Sequence, residues 1–150
     1  MVLSPISSKK IYELGMDSIS SDTACYPAKL VHGHIKWLVQ HNIKRIFYPC
    51  INFEVKEDPT APNHYNCPIV ATYPEVIDKN MADYFYENDV EFYHPFLPYD
   101  NDVRLIDELF KFFNGDRNID KEAVQNIYKT YNFEKPNKDF SLFNMHISLR

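Results

Sequence analysis

The stretch DTACYPAKLVHGHIKW at residues 22–37, followed by RIFYPC at 45–50 and NHYNCP at 63–68, decides the fold and holds all three cysteines of the chain. Twenty-four residues separate Cys25 from Cys50, and sixteen separate Cys50 from Cys67. No CxxC pair exists, which removes the ordinary zinc-ribbon and ferredoxin spacings, so any shared site has to be assembled by the fold. Pro27 suits the first helical position, where its missing N–H costs nothing. Cys25 is therefore expected at or just before a helix N-terminus, in the positive end of the dipole, a setting that favours a thiolate. Cys50 follows the apolar run Ile46-Phe47-Tyr48-Pro49 and is expected just beyond the carboxyl end of a strand. In an open α/β sheet, that edge is where ligands bind, beside helix N-termini. Cys67 ends a polar loop ahead of Pro68 and the run Ile69-Val70-Ala71, read as a strand, so the loop itself has to carry it back to the same edge.

Working outward, Ser7 or Ser8 caps a short helix from Lys9 to Leu14, with Gly15 as the left-handed residue that ends it. Asp17 to Ser20 reads as a short strand. Val31, Ile35, Leu38 and Val39 follow helical spacing within a helix from Ala28 to Gln40, with Lys29, Lys36 and Gln40 on other faces. Ile43 to Tyr48 is a strand, and 51–67 is an aperiodic loop of a length that is usually functional. A strand at 69–72, a helix opened by Tyr73-Pro74-Glu75 and running to about Met81, and a strand from Val90 to Tyr93 come next. Asp100 or Asn101 caps a helix whose inner face is Val103, Ile106, Leu109, Phe110 and Phe113, ended by Gly115; Asp120 caps another to about Tyr131, with Val124, Ile127 and Tyr131 inward. The alternation predicts an α/β fold, a three-layer Rossmann-like domain with a mainly parallel sheet.

The 150 residues make one domain, 45% hydrophobic and 15% aromatic, with a net charge of -5. That charge argues against a nucleic-acid surface. No run reaches the roughly 20 apolar residues of a membrane span, and the N-terminus is not a signal peptide, which points to the cytoplasm. Three cysteines there leave metal, cluster, catalysis or plain burial. Val2-Leu3-Ser4-Pro5 reads as the last residues of a strand and 140–150 stops without a terminating signal, so 1–150 is expected to be a fragment of a larger multidomain protein.

With glycine only at Gly15, Gly33 and Gly115, neither a GxGxxG nor a Walker loop can form, and there is no G-x-S-x-G elbow. His32 and His34 flank Gly33 as HGH, but residues two apart on a helix face different ways, so both read as partly exposed helix histidines. His64 lies three residues before Cys67 and could complete a Cys₃His zinc site. Lys29, one turn beyond Cys25, is either a partner for a thiolate or an anionic ligand, or a solvated helix lysine.

CYPAKLVHGHIKWL, IFYPC and NHYNCPIVATYPEV together resemble a known family. It is the domain found in the activase-related proteins of 2-hydroxyacyl-CoA dehydratases, similar to the dehydratase component of 2-hydroxyglutaryl-CoA dehydratase and to the double-cubane cluster proteins. The likeness runs from Val2 to Ile77. It implies that Cys25, Cys50 and Cys67 bind an iron–sulfur cluster, of 4Fe-4S or double-cubane type, with one iron left open. It also implies partners: the rest of a parent chain, an ATPase activator module that delivers low-potential electrons in anaerobic metabolism, and an acyl-CoA substrate. The chain has no phosphate loop and no paired domain to close over a dehydratase site, so the isolated fragment is not expected to be active. The rival expectation is a non-catalytic zinc-binding or metal-free interaction domain that docks within its parent.

Overall fold

The computed structural model describes residues 2–53, 56, 58–114 and 147–149. In chain order these form α1 (Lys9–Gly15), a 3-10 turn (Met16–Ser18), α2 (Tyr26–Gln40), β1 (Arg45–Phe47), α3 (Pro68–Asn80), α4 (Ala82–Glu87), β2 (Glu91–Tyr93), α5 (Asp102–Asn114) and β3 (Ile147–Leu149). The helix predicted over 120–131 lies outside the described residues. No described helix is long and apolar enough to cross a membrane.

β1 is the centre of the sheet, whose order is β2-β1-β3. It pairs in parallel with β2, Ile46 opposite Phe92, and antiparallel with β3, Ile46 opposite Ser148. Arg45 Nε reaches Glu91 Oε2 at 3.0 Å across the parallel register. Successive strand side chains point to opposite faces. Ile46 and Tyr48 accordingly join a core with α2, α3 and α4 that includes Val31, Ile35, Leu38, Ile77 and Phe85. Phe47 joins Leu97 and Leu105 on the other face, with Leu109 and Phe112 of α5 against them. The architecture is α/β, with a parallel pair and an antiparallel neighbour.

Several local expectations hold. The Ser8 hydroxyl accepts the Ile11 N–H at 3.3 Å and starts α1. Asn101 Oδ1 accepts the Arg104 N–H at 3.0 Å and starts α5. α2 stops where Asn42 takes a left-handed φ of 60°, a conformation asparagine tolerates better than most residues. Replacing Ser8 with alanine removes the cap of α1 and should lower stability by about 1 kcal/mol in a denaturant titration.

Other expectations are corrected. Asp17 to Ser20 is not a strand: Met16–Ser18 is a 3-10 turn, closed by the Ser18 hydroxyl bonding back to the Gly15 carbonyl at 2.9 Å. Gly15 is not left-handed, with φ -95°; glycine is needed there because an added Cβ would lie 2.2 Å from the Gly33 nitrogen. The predicted strand 69–72 is the first part of α3, and Pro74 sits inside that helix instead of opening it. Ile69-Val70-Ala71-Thr72 is too short to fix a period, and Pro68 at the start together with the cap at Cys67 favours helix. Val2 contributes one β-bridge and packs against the core. Val103 is 70% exposed, while Leu105, two residues on and on the opposite side of the helix, is buried against Phe47. The side chain of Phe113 lies outside the described residues.

A candidate thiol site at the carboxyl edge of the parallel strands

Cys50 is fixed by continuation of the β1–β2 pairing beyond the strands. Tyr48 N–H donates to the Tyr93 carbonyl at 2.8 Å, Cys50 N–H to the Pro95 carbonyl at 2.9 Å, and the Cys50 carbonyl accepts from Leu97 N–H at 2.9 Å. Cys50 is therefore bolted through both of its backbone groups to the segment that follows β2, and its side chain is buried.

Cys25 and Cys67 are built alike. Each is the N-cap of a helix, with φ and ψ of -63° and 152° at Cys25 and -62° and 152° at Cys67, and each is followed within two positions by a proline. The cap carbonyls accept the first helical bonds, Lys29 N–H to Cys25 at 3.1 Å and Ala71 N–H to Cys67 at 3.0 Å. Both thiols are exposed, at the positive ends of helices of 15 and 13 residues whose first-turn N–H groups have no carbonyl partner within the helix. Sequence reasoning placed Cys25 correctly. It placed Cys67 before a strand, whereas the residue begins a helix.

The return of Cys67 to Cys50 rests on residues that sequence reading passed over. Phe53 and Tyr65 form an antiparallel bridge, so the loop folds back on itself. Asn66 then clasps its base: its N–H donates to the Asn52 carbonyl at 2.9 Å and its Nδ2 to the Ile51 carbonyl at 3.0 Å. Pro74 adds a third tie. Lacking an N–H, it leaves the Val70 carbonyl without the usual helical donor four residues on, and that oxygen accepts the Ile51 N–H at 3.5 Å.

Tyr48, two residues before Cys50, is buried among the core residues. Burial first, and then the charges that Cys50, Tyr73, Cys25 and Cys67 can carry, push its hydroxyl well above the usual tyrosine range. The Cys50 thiol is pushed up to about 11 by burial and then by the Glu75 carboxylate, with a hydrogen bond from the Glu75 backbone acting the other way. Cys50 is therefore a protonated thiol at neutral pH, and a ligand that bound it would have to displace that proton.

The histidines differ from expectation. His32 and His34 are both buried, because α1 lies across this part of α2 and the segments on either side of it supply their partners: Ser7 Oγ meets His34 Nε2 at 2.9 Å, and Ser18 Oγ, in the 3-10 turn, meets His32 Nδ1 at 3.0 Å. His32 Nε2 meets the Tyr73 hydroxyl at 3.0 Å. Lys36, expected outside, is buried against Asp17, with which it is paired, and over the Tyr84 ring. Lys29 donates to the Asp22 carbonyl at 2.7 Å. His64 stacks near Phe53, with ring centroids 5.4 Å apart. Among the described residues no three His, Cys, Asp or Glu side chains stand at the spacing that holds a single metal ion. A cubane makes a different demand, since its ligands attach to separate iron atoms and stand further apart than ligands round one ion. Three thiols of this chemistry suit iron–sulfur ligation, with Cys25 and Cys67 reachable from solvent and Cys50 held at the strand edge.

The sequence model of the family described as the CoA enzyme activase uncharacterised domain matches residues 1–138. The chain belongs to that family. The match takes in the three cysteine segments, α1 to α5, β1 and β2, while β3 lies beyond it. No curated protein and no solved structure matches the chain.

Proposed function

We propose that this activase domain binds an iron–sulfur cluster through Cys25, Cys50 and Cys67, as part of a 2-hydroxyacyl-CoA dehydratase-like or activase-related, ATP-dependent reductase system. What supports the reading is a set of three free cysteines, two of them at helix N-termini and Cys50 held at the end of β1, with Asn66 tying the Cys67 segment back to the residues that follow Cys50. The cluster, of 4Fe-4S or double-cubane type, supplies single-electron transfer when bound, and three thiolates leave one iron open. The chain's own residues do the rest: the ends of α2 and α3 offset negative charge, the β1–β2 extension fixes Cys50, and Asn66 holds the base of the Cys67 loop.

On this reading the chain is a three-layer Rossmann-like unit within a larger, cytoplasmic multidomain protein. Its partners are the rest of that protein, an ATPase activator module and an enzyme acting on an acyl-CoA. It binds no nucleic acid and turns over no nucleotide by itself.

The test is anaerobic reconstitution with iron and sulfide of the wild type and of each Cys→Ser variant. The wild type should take up iron and sulfide together and develop thiolate-to-iron charge-transfer absorbance, and each substitution should lower uptake severalfold. Uptake should also weaken as pH falls, because protons compete for the sulfurs. If all three variants bind as much iron as the wild type, or if only zinc binds and requires His64, the chain is instead a zinc-binding or metal-free interaction domain.

A further inference from the structure

The polar joint between α2 and α3 has a defined direction. Ser18 carries one hydroxyl proton, and it goes to the Gly15 carbonyl at 2.9 Å, since a carbonyl can only accept. Ser18 Oγ must then accept from His32, which makes Nδ1 the protonated nitrogen of that ring. Burial, followed by the nearby Lys36 charge, holds His32 down to about 4, so the imidazole is neutral and its Nε2 carries a lone pair. The Tyr73 hydroxyl consequently donates to Nε2 at 3.0 Å, with the two rings edge to face. The chain of bonds runs Tyr73 to His32 to Ser18 to Gly15, each proton committed.

Its location gives this joint leverage on the thiols. His32 lies seven residues into the chain from Cys25, and Tyr73 six from Cys67, about 10 Å and 9 Å along their helices. A tilt of about 10° at the joint would move a cap sulfur by about 1.7 Å over such an arm. Metal–thiolate bonds tolerate only about 0.2 Å. Apolar packing alone lets helices slide, whereas a buried bond of fixed direction penalises any arrangement that leaves its partners unsatisfied.

We propose that His32 and Tyr73 are positioning residues for the thiol site: their hydrogen bond holds the N-termini of α2 and α3 at the separation in which Cys25 and Cys67 act on one ligand. This rests on the reading that the two thiols share a ligand, not on that ligand being an iron–sulfur cluster.

The probe is dibromobimane, whose two bromomethyl arms each alkylate one thiol, forming two C–S bonds and releasing two bromide ions and two protons, and whose separate reactive carbons join thiols that stand further apart than ligands round one atom. The full chain is titrated as wild type, Cys25→Ser, Cys67→Ser, Tyr73→Phe, His32→Leu and His32→Gln, alongside maleimide labelling of single thiols, circular dichroism and iron–sulfide uptake. The wild type should be bridged, with both Cys25 and Cys67 required. Tyr73→Phe and His32→Leu should weaken bridging about tenfold while single-thiol labelling and helix content stay unchanged. His32→Gln, which keeps a donor and an acceptor, should recover part of the loss. Bridging in Tyr73→Phe equal to wild type, or a wild type that is not bridged, overturns the proposal. Should His32→Leu fail to fold, Tyr73→Phe decides alone, because it removes one hydroxyl and keeps the ring. Bimane bridging that depends on Tyr73 without any iron uptake would retain the positioning role and sink the cluster. Cluster assembly unaffected by Tyr73→Phe would do the reverse.

Discussion

Substituting Gly33 with alanine should destabilise the domain by about 4 kcal/mol, through backbone overlap that no side-chain rotation can relieve. A Cβ at this position would lie 1.7 Å from the Ile11 carbonyl oxygen and 2.6 Å from its carbon. Both atoms belong to the backbone of α1, so the whole helix has to retreat. Its retreat would uncover buried Ile11 and break the Ser7–His34 contact, 2.9 Å long. Gly15→Ala should act on the same crossing, where its Cβ would meet the Gly33 nitrogen at 2.2 Å. The double variant should then cost clearly less than the sum, since the first substitution already separates the helices. Urea midpoints for the two single variants and the double variant check this. A loss under about 1 kcal/mol for Gly33→Ala would mean that the helices do not cross at these glycines.

The second large effect is acid sensitivity. Folding lowers His32 from 6.5 to about 4, chiefly by burial, and lowers His34 for the same reason. Between those limits the unfolded chain binds a proton at His32 and the folded chain does not. Stability therefore rises with pH across this window and is lost as pH falls from about 6.5 toward 4. A displacement of this size corresponds to about 3 kcal/mol by pH 4, with His34 adding in the same direction. Asp17 acts in a lower range: its pairing with Lys36 holds it below 3.8, so what it contributes is lost only in stronger acid. Denaturant titrations at pH 7.0, 5.5 and 4.5 should show the decline, and His32→Gln should flatten it. An unchanged slope in that variant would assign the acid sensitivity to other groups.

How far the site could be read in advance differs from one cysteine to the next. Cys25 was legible because Pro27 and the period of Val31, Ile35 and Leu38 are local signals. Cys50 was legible because a β-type run ends at Pro49. Cys67 was misread although Pro68 repeats the signal of Pro27: Ile69-Val70-Ala71-Thr72 is too short to fix a period and was taken for a strand, whereas the helix carries Tyr73 and Ile77 into the core. The two histidines were judged on their own helix, where nothing announces that α1 will cover them. Val103 was set on the inner face of α5 from spacing, but the position of Phe47 on the neighbouring strand decides which face is inner.

The sequence by itself determined the α/β class, the capped starts of α1 and α5, the extent of α2, the central strand and the helix start at Cys25, because caps, periodicity and residue chemistry act over a few neighbouring positions. Tertiary structure alone decided that Asn66 and the bond between Val70 and Ile51 tie the Cys67 segment to the residues after Cys50, and that His32 is buried and bonded to Tyr73. These depend on contacts between residues as far as 41 positions apart, whose hydrogen bonds become directional and costly to lose only once burial removes the competing water.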